Sequence, residues 1–209
     1  METKALVGLI DACVSDFDSE GLSDLISQMR ADLPAMLKSA DPETFELVGQ
    51  AARLIAFSRH PAPLSECIHI LLDVAAAHIP RGRSAKALPL AERALDLAED
   101  HALKADQRRA SSCYSLLCTD SGNPARGVEY AIRAALLAKE LGDERGVAAA
   151  FCNMTAALCM MGMYRETVSV GLRVIKRFKG DPHCSSFVAL ARTNLAIAAL
   201  ALQHYSLSV

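Results

Sequence analysis

The sequence predicts an all-α solenoid of antiparallel helix pairs, and three observations predict it. Glycine recurs at an interval of 40 residues, at Gly82, Gly122 and Gly162. In step with it run an aliphatic position (Leu88, Val128, Val168), a small one (Ala91, Ala131, Gly171) and an arginine (Arg93, Arg133, Arg173). A period of about 20–50 residues marks a stacked array, because one helix pair cannot bury its apolar face alone. Composition agrees: 52% of residues are hydrophobic, only 5% aromatic, and Trp is absent. Alanine and leucine dominate that content, which suits close helix packing and argues against a β-sandwich.

Taken in order, residues 2–15 carry Leu6, Leu9, Ile10 and Cys13 at helical spacing, the pattern of a short capping helix. Leu22 to Ser39 continues with helical periodicity, and Pro34 predicts a kink or break near Leu33. Asp41-Pro42-Glu43 is a helix-start signal, with an N-cap acid, a first-position proline and a first-turn acid. The helix it opens runs to about Ser58 and places Arg53 40 residues before Arg93, so residues 1–60 form capping helices and a degenerate repeat. His60-Pro61-Ala62-Pro63 is an extended connector.

Residues 66–209 hold the regular repeats. Ser65 is placed to cap a helix reaching Ile79, and Pro80 to Ser84 turns the chain. Pro89 predicts that the next regular helix, within Ser84 to Asp100, starts near Leu88. Further helices are expected over Lys104–Ser121, Ala125–Leu141 after an Asn123-Pro124 cap, Glu144–Met161 and Tyr164–Lys179. Asp181-Pro182 opens the last, to about Gln203. Asn153-Met154-Thr155 aligns with Asn194-Leu195-Ala196 at an interval of 41, which places a turn at His204-Tyr205. On that register the chain stops early in a second helix, and the expectation is a fragment of a longer protein with its last repeat truncated.

Net charge is −2 with both signs interspersed, so no basic face for nucleic acid is evident. The seven cysteines are odd in number, lack a CxxC and sit mostly in apolar stretches. That usage reads as small buried hydrophobes in a reducing, cytoplasmic compartment. No basic leader followed by an apolar run opens the chain. Gly146 to Tyr164 is uncharged over 19 residues, long enough to raise a membrane span. Its Asn153, Thr155 and alanines, in repeat register, favour a buried solenoid helix.

Phe151 to Ile175 resembles the tetratricopeptide repeat, matching it at Asn153, Gly162 and Tyr164, with Thr167 and Val174 where alanine is usual. The copy from Arg108 keeps Gly122, Ala131 and Ala134 with Pro124 for the tyrosine, and the copy from Glu66 keeps Gly82, Ala87, Ala94 and Leu95. The 40-residue interval is similar to a long-helix variant found in bacterial regulators. The resemblance implies a right-handed superhelix and a protein-interaction or regulatory scaffold without catalytic activity. Such regulators also include sensory or dimerisation segments that control an output domain, for instance a diguanylate cyclase or a transcription factor.

In the resembling family the first helix of each pair lines a groove that binds peptides. Carried onto this register, the groove is Leu72 and Ala76; Arg109, Ser112 and Leu116; Cys152, Asn153, Ala156 and Cys159; and Thr193, Asn194 and Ile197. Asn153 and Asn194 match the asparagine able to hold a peptide backbone. The groove is mainly apolar, so the expected partner is a protein or peptide, such as an amphipathic helix or a second copy in a homodimer. A small apolar ligand is the alternative. No nucleic acid, membrane, cofactor or metal is expected.

Other candidates read as structural. Arg53, Arg93, Arg133 and Arg173 fall on an outer, solvated face with Glu92 and Glu129 nearby. The six histidines show no metal spacing. His183-Cys184 at a helix start is the one place for an activated thiol, without a partner base. Arg81 to Ser84 is a basic turn. No phosphate loop, dinucleotide fingerprint or nucleophile elbow occurs.

Overall fold

The computed structural model describes residues 19–38, 44, 46, 48–52 and 64–206, and the regular elements among them are all helical. They are α1 Ser19–Lys38, α2 Leu64–His78, α3 Ser84–Asp100, α4 Lys104–Asp120, α5 Pro124–Glu140, α6 Glu144–Met160, α7 Tyr164–Phe178 and α8 Ser185–Ser206. Short 3-10 turns cover Ile79–Arg81 and Pro182–Cys184. The expected capping helix over 2–15, the Asp41-Pro42-Glu43 signal, Arg53 and the His60 to Pro63 connector lie outside the described residues.

One turn geometry recurs every 20 residues. Gly82, Gly122, Gly142 and Gly162 adopt left-handed φ values of 63, 87, 66 and 73°, and Ala102 adopts 52°. After each, the next amide donates five residues back: Arg83 to His78, Leu103 to Ala98, Asn123 to Cys118, Asp143 to Ala138 and Met163 to Leu158. This Schellman pairing satisfies the last carbonyls of a helix and reverses the chain into the next. Side-chain caps then start several helices. Asn123 accepts from the Arg126 amide at 3.3 Å, Asp143 from Gly146 at 2.8 Å and Asp181 from His183 at 2.8 Å. The 40-residue repeat is therefore two beats of one helix and one turn.

Four local expectations are corrected. α1 runs unbroken through Pro34, and α3 begins at Ser84 and runs through Pro89. Both prolines lie on exposed faces, where the carbonyl left without its donor meets water. Ser65 sits inside the first turn of α2, and its hydroxyl serves Asp106 instead of capping. The turn expected at His204-Tyr205 is helix, since α8 continues to Ser206. Gln203 stands there in the register of Gly162, so the left-handed residue that stops α6 has no counterpart.

The chain divides into two compact units, Met1–Asp106 and Gln107–Val209, with the division inside α4. In the first, α1 packs on α2 and α2 on α3. Leu25, Met29, Ile68 and Leu71 are fully buried, each contributing about 2 kcal/mol of apolar burial. The Arg30–Glu66 ion pair, with Arg30 exposed and Glu66 half-buried, adds about 1 kcal/mol at most. Arg81, expected in a solvated turn, donates to the carbonyls of Ala77 at 2.8 Å and Leu37 at 3.0 Å. It thereby ties together the C-terminal ends of α1 and α2, where cations are favoured.

In the second unit α5 packs on α6, α6 on α7, and α8 on both α6 and α7. Its core joins Ala138, Val147, Ala148, Val174, Phe178, Cys184, Val188 and Ala191. Small residues set the helix spacing. Gly127 lies so close to α4 that the Ser115 hydroxyl donates to its carbonyl at 2.6 Å.

Candidate functional site

The residues expected to line the groove fall on the first helices of successive pairs, but their exposure differs sharply. On α2, Leu72 is buried at 2% exposure while Ala76 is exposed. On α4, Arg109, Ser112 and Leu116 are half-buried. On α6, Cys152 is buried, and Asn153, Ala156 and Cys159 are half-buried. On α8, Thr193 and Ile197 are exposed and Asn194 is half-buried. Leu72 and Cys152 are thus core residues with little surface to offer a ligand.

The two asparagines are engaged inside the stack. Asn153 Nδ2 donates to the Ser112 carbonyl at 2.9 Å and lies 3.2 Å from the Ser112 hydroxyl. Asn194 Nδ2 donates to Thr155 Oγ1 at 3.0 Å. Thr155 is fully buried, and its own hydroxyl donates to the Cys152 carbonyl at 2.7 Å. These amides link α6 to α4 and α8 to α6, so their Nδ2 groups already have partners before any peptide arrives.

On α8 several apolar side chains are open to solvent. Leu190, Ile197 and Leu200 are 54, 50 and 59% exposed, and with Thr193 they share one helix face. Sequence reasoning raised Gly146 to Tyr164 as the membrane-like stretch. That stretch contains α6, whose Val147, Ala148, Ala150, Cys152, Ala157 and Leu158 are buried. Among the described residues, the helical stretch long and apolar enough to cross a membrane, by length and composition, is Pro182–Gln203, most of which is α8.

Titratable groups do not assemble a reaction centre on the sequence-predicted positions. Cys184 is buried, and burial pushes its thiol up, helped by the bond it donates to Asp181 Oδ2 at 3.3 Å. The helix start therefore does not yield an activated thiolate there. Burial likewise pushes Cys152 up to about 11. Arg93 and Arg133 are half-buried and Arg173 is exposed.

One constellation escaped the sequence reading. Asp106, only 6% exposed, accepts from the Ser65 hydroxyl at 2.6 Å and lies 2.9 Å from His69 Nε2. The carboxylate stands between hydroxyl and imidazole, so the histidine is not placed to take the serine proton. The trio ties α2 to the first turn of α4. Ser65 and Asp106 lie 41 residues apart in the sequence, and only the stacking brings them together.

No family model and no curated protein matches the sequence. Among solved structures, the chain is similar to a Podosopora anserina protein described as a kinesin light chain of nearly identical TPR-like repeats. The similarity has a TM-score of 0.66 at 16% identity and covers 88% of each chain. At that identity the likeness concerns the fold: this chain is an all-α, TPR-like helical-repeat solenoid.

Proposed function

We propose that this chain is a non-catalytic protein–protein interaction scaffold that docks its partner on the first-helix face, chiefly through α8. The repeat fold supports the general role, since stacked helix pairs present side chains from several units on one surface. The apolar face of α8 supports the location. In α6, the positions 41 residues earlier (Ala149, Cys152, Ala156 and Cys159) are buried or half-buried, whereas Leu190, Thr193, Ile197 and Leu200 face solvent. α8 thus exposes the apolar surface that its repeat predecessor covers, and contiguous apolar surface of this kind marks an interaction site.

The half-buried groove residues Arg109, Ser112, Leu116 and Ala156 would flank that site beside Thr193 and Ile197. A second copy of the chain suits the α8 face because the face is nearly uncharged and two-fold pairing brings a patch onto itself. Such a homodimer would let the segment act as the sensory arm of a cytoplasmic regulator. The burial of Cys67 and Cys152 as small apolar residues supports a reducing compartment.

The experiment places a photo-crosslinking side chain at Ile197 and, as a control, at the exposed Glu99. Adducts specific to Ile197 would be identified by mass, then re-tested with purified partner and an Ile197→Asp, Leu200→Asp variant. An adduct of twice the chain mass identifies self-association. Equal labelling from both positions, or undiminished binding by the double variant, retires the reading.

A further inference from the structure

The second helices carry a separate surface. Between α5 and α7, floored by α6, lies an apolar cleft of about 390 Å³. Ile132, Leu136 and Lys139 line it from α5, Phe151 and Met154 from α6, and Arg177 from α7. Its volume falls in the range of roughly 300–1,000 Å³ found for ligand-receiving clefts.

The mouth is wide. Ile132 and Leu136, one helical turn apart, are 45 and 60% exposed, and Leu172, the repeat equivalent of Ile132, is 54% exposed. A small molecule needs about 70–90% of its surface enclosed, which so open a mouth does not provide. A macromolecule inserting one or two bulky side chains needs only the concavity and the apolar strip beside it.

The α7 side of the cleft is mainly positive. Arg173, Lys176, Arg177 and Lys179 are all exposed, and residues 172 to 180 contain no acid, in a chain of net charge −2. Exposed Lys139 stands on the opposite wall. The exposed Glu144 holds the Arg177 guanidinium through contacts of 2.6 and 3.1 Å, which fixes it at the rim and balances its charge, so the net positive charge there rests with Lys139, Arg173, Lys176 and Lys179. An apolar floor between cationic rims is complementary to an apolar ridge flanked by carboxylates. An amphipathic helix with leucine or phenylalanine anchors and acidic neighbours has that pattern.

We infer that this cleft is a docking site for an acidic amphipathic helix of another protein. The inference rests on the scaffold reading only in taking the partner to be a protein, and it concerns a different surface. A flat anionic membrane fits less well, because the half-buried Phe151 and Met154 line the floor of a concavity.

The probe is a fluorescent peptide of about 18 residues with leucines at i, i+3, i+4 and i+7 and glutamates elsewhere. A second peptide replaces every glutamate by lysine, and vesicles of phosphatidylcholine with phosphatidylserine form a third arm. The acidic peptide should bind, the basic one should not, and added salt should weaken the complex. Leu136→Asp should weaken binding at least about 10-fold and Lys139→Glu about 5-fold. Both alter exposed side chains, so unchanged melting confirms that the fold is kept. Absence of peptide binding at about 1 mM, equal binding of both peptides, or binding of vesicles alone overturns the inference. Peptide binding lost in Ile197→Asp but kept in Leu136→Asp also overturns it, while leaving the scaffold reading intact.

Discussion

Ala102 holds the same left-handed turn conformation as Gly122, with φ of 52° against 87°. Its amide and that of Leu103 make the same two backward bonds, to Glu99 and Ala98, that Gly122 and Asn123 make to Thr119 and Cys118. A Cβ in this conformation costs about 1–2 kcal/mol, and glycine's greater unfolded-state freedom offsets about 0.5–1 of it. Ala102→Gly should therefore stabilise the chain by about 0.5 kcal/mol, raising Tm by about 1–2 °C. Gly122→Val should lower stability by at least about 1 kcal/mol, although a Cβ there would meet no neighbour within 4 Å. A melting curve unmoved by Gly122→Val would show that the turn is not held left-handed.

A second prediction concerns Gly127. A Cβ built there would collide with Thr119 Oγ1 and come within 3.1 Å of the Ser115 carbonyl. The Thr119 hydroxyl is pinned by its bond to that carbonyl at 2.9 Å, and it is buried. Gly127→Ala should cost about 2 kcal/mol by forcing α4 and α5 apart. Adding Thr119→Ala removes the colliding atom and should recover part of the loss. Urea titrations of the two single variants and the double variant measure that coupling, and strict additivity would refute the close-contact account.

The sequence made the solenoid legible because its punctuation is mechanical: Gly82, Gly122 and Gly162 are at turns, and Asn123, Asp143 and Asp181 cap. It hid the 20-residue beat because Ala102 occupies a turn where glycine is expected. Pro34 and Pro89 misled for the opposite reason, since local propensity says nothing about which face of a helix meets water. Of the residues expected to line a groove, Leu72 and Cys152 proved buried and the two asparagines engaged within the stack. Partners such as Ser112 and Thr155 lie about one repeat away, so only stacking reveals them. The outer cleft draws on three helices, none of which shows it alone.

The Asn153 and Asn194 bonds give a third prediction. Each links adjacent first helices through a part-buried amide, and a bond of this kind is worth about 1 kcal/mol. Asn153→Ala and Asn194→Ala should each destabilise by about that amount in the absence of any partner. Denaturant unfolding of the isolated chain decides it. If stability is untouched in both variants, the asparagines serve a ligand and not the stack.

The last prediction is pH-dependent. Asp181 is held below its usual value of 3.8, first by the bond its carboxylate accepts from the His183 amide and then by the bond from the Cys184 thiol. A carboxylate depressed in the folded state binds its proton less readily there than in the unfolded chain. Its contribution is therefore present in full above the unfolded value and lost as pH falls through the folded one. Asp181→Ala should lower Tm near neutral pH, and the gap from the parent chain should close on acidification below about pH 4. Asp181→Asn, which keeps an acceptor for the His183 amide without a charge, should melt between the two near neutrality and show a weaker pH dependence than the parent. Thermal melts of the three chains at matched ionic strength are the measurement. A gap between Asp181→Ala and the parent that widened with acid would mean the carboxylate destabilises this helix start.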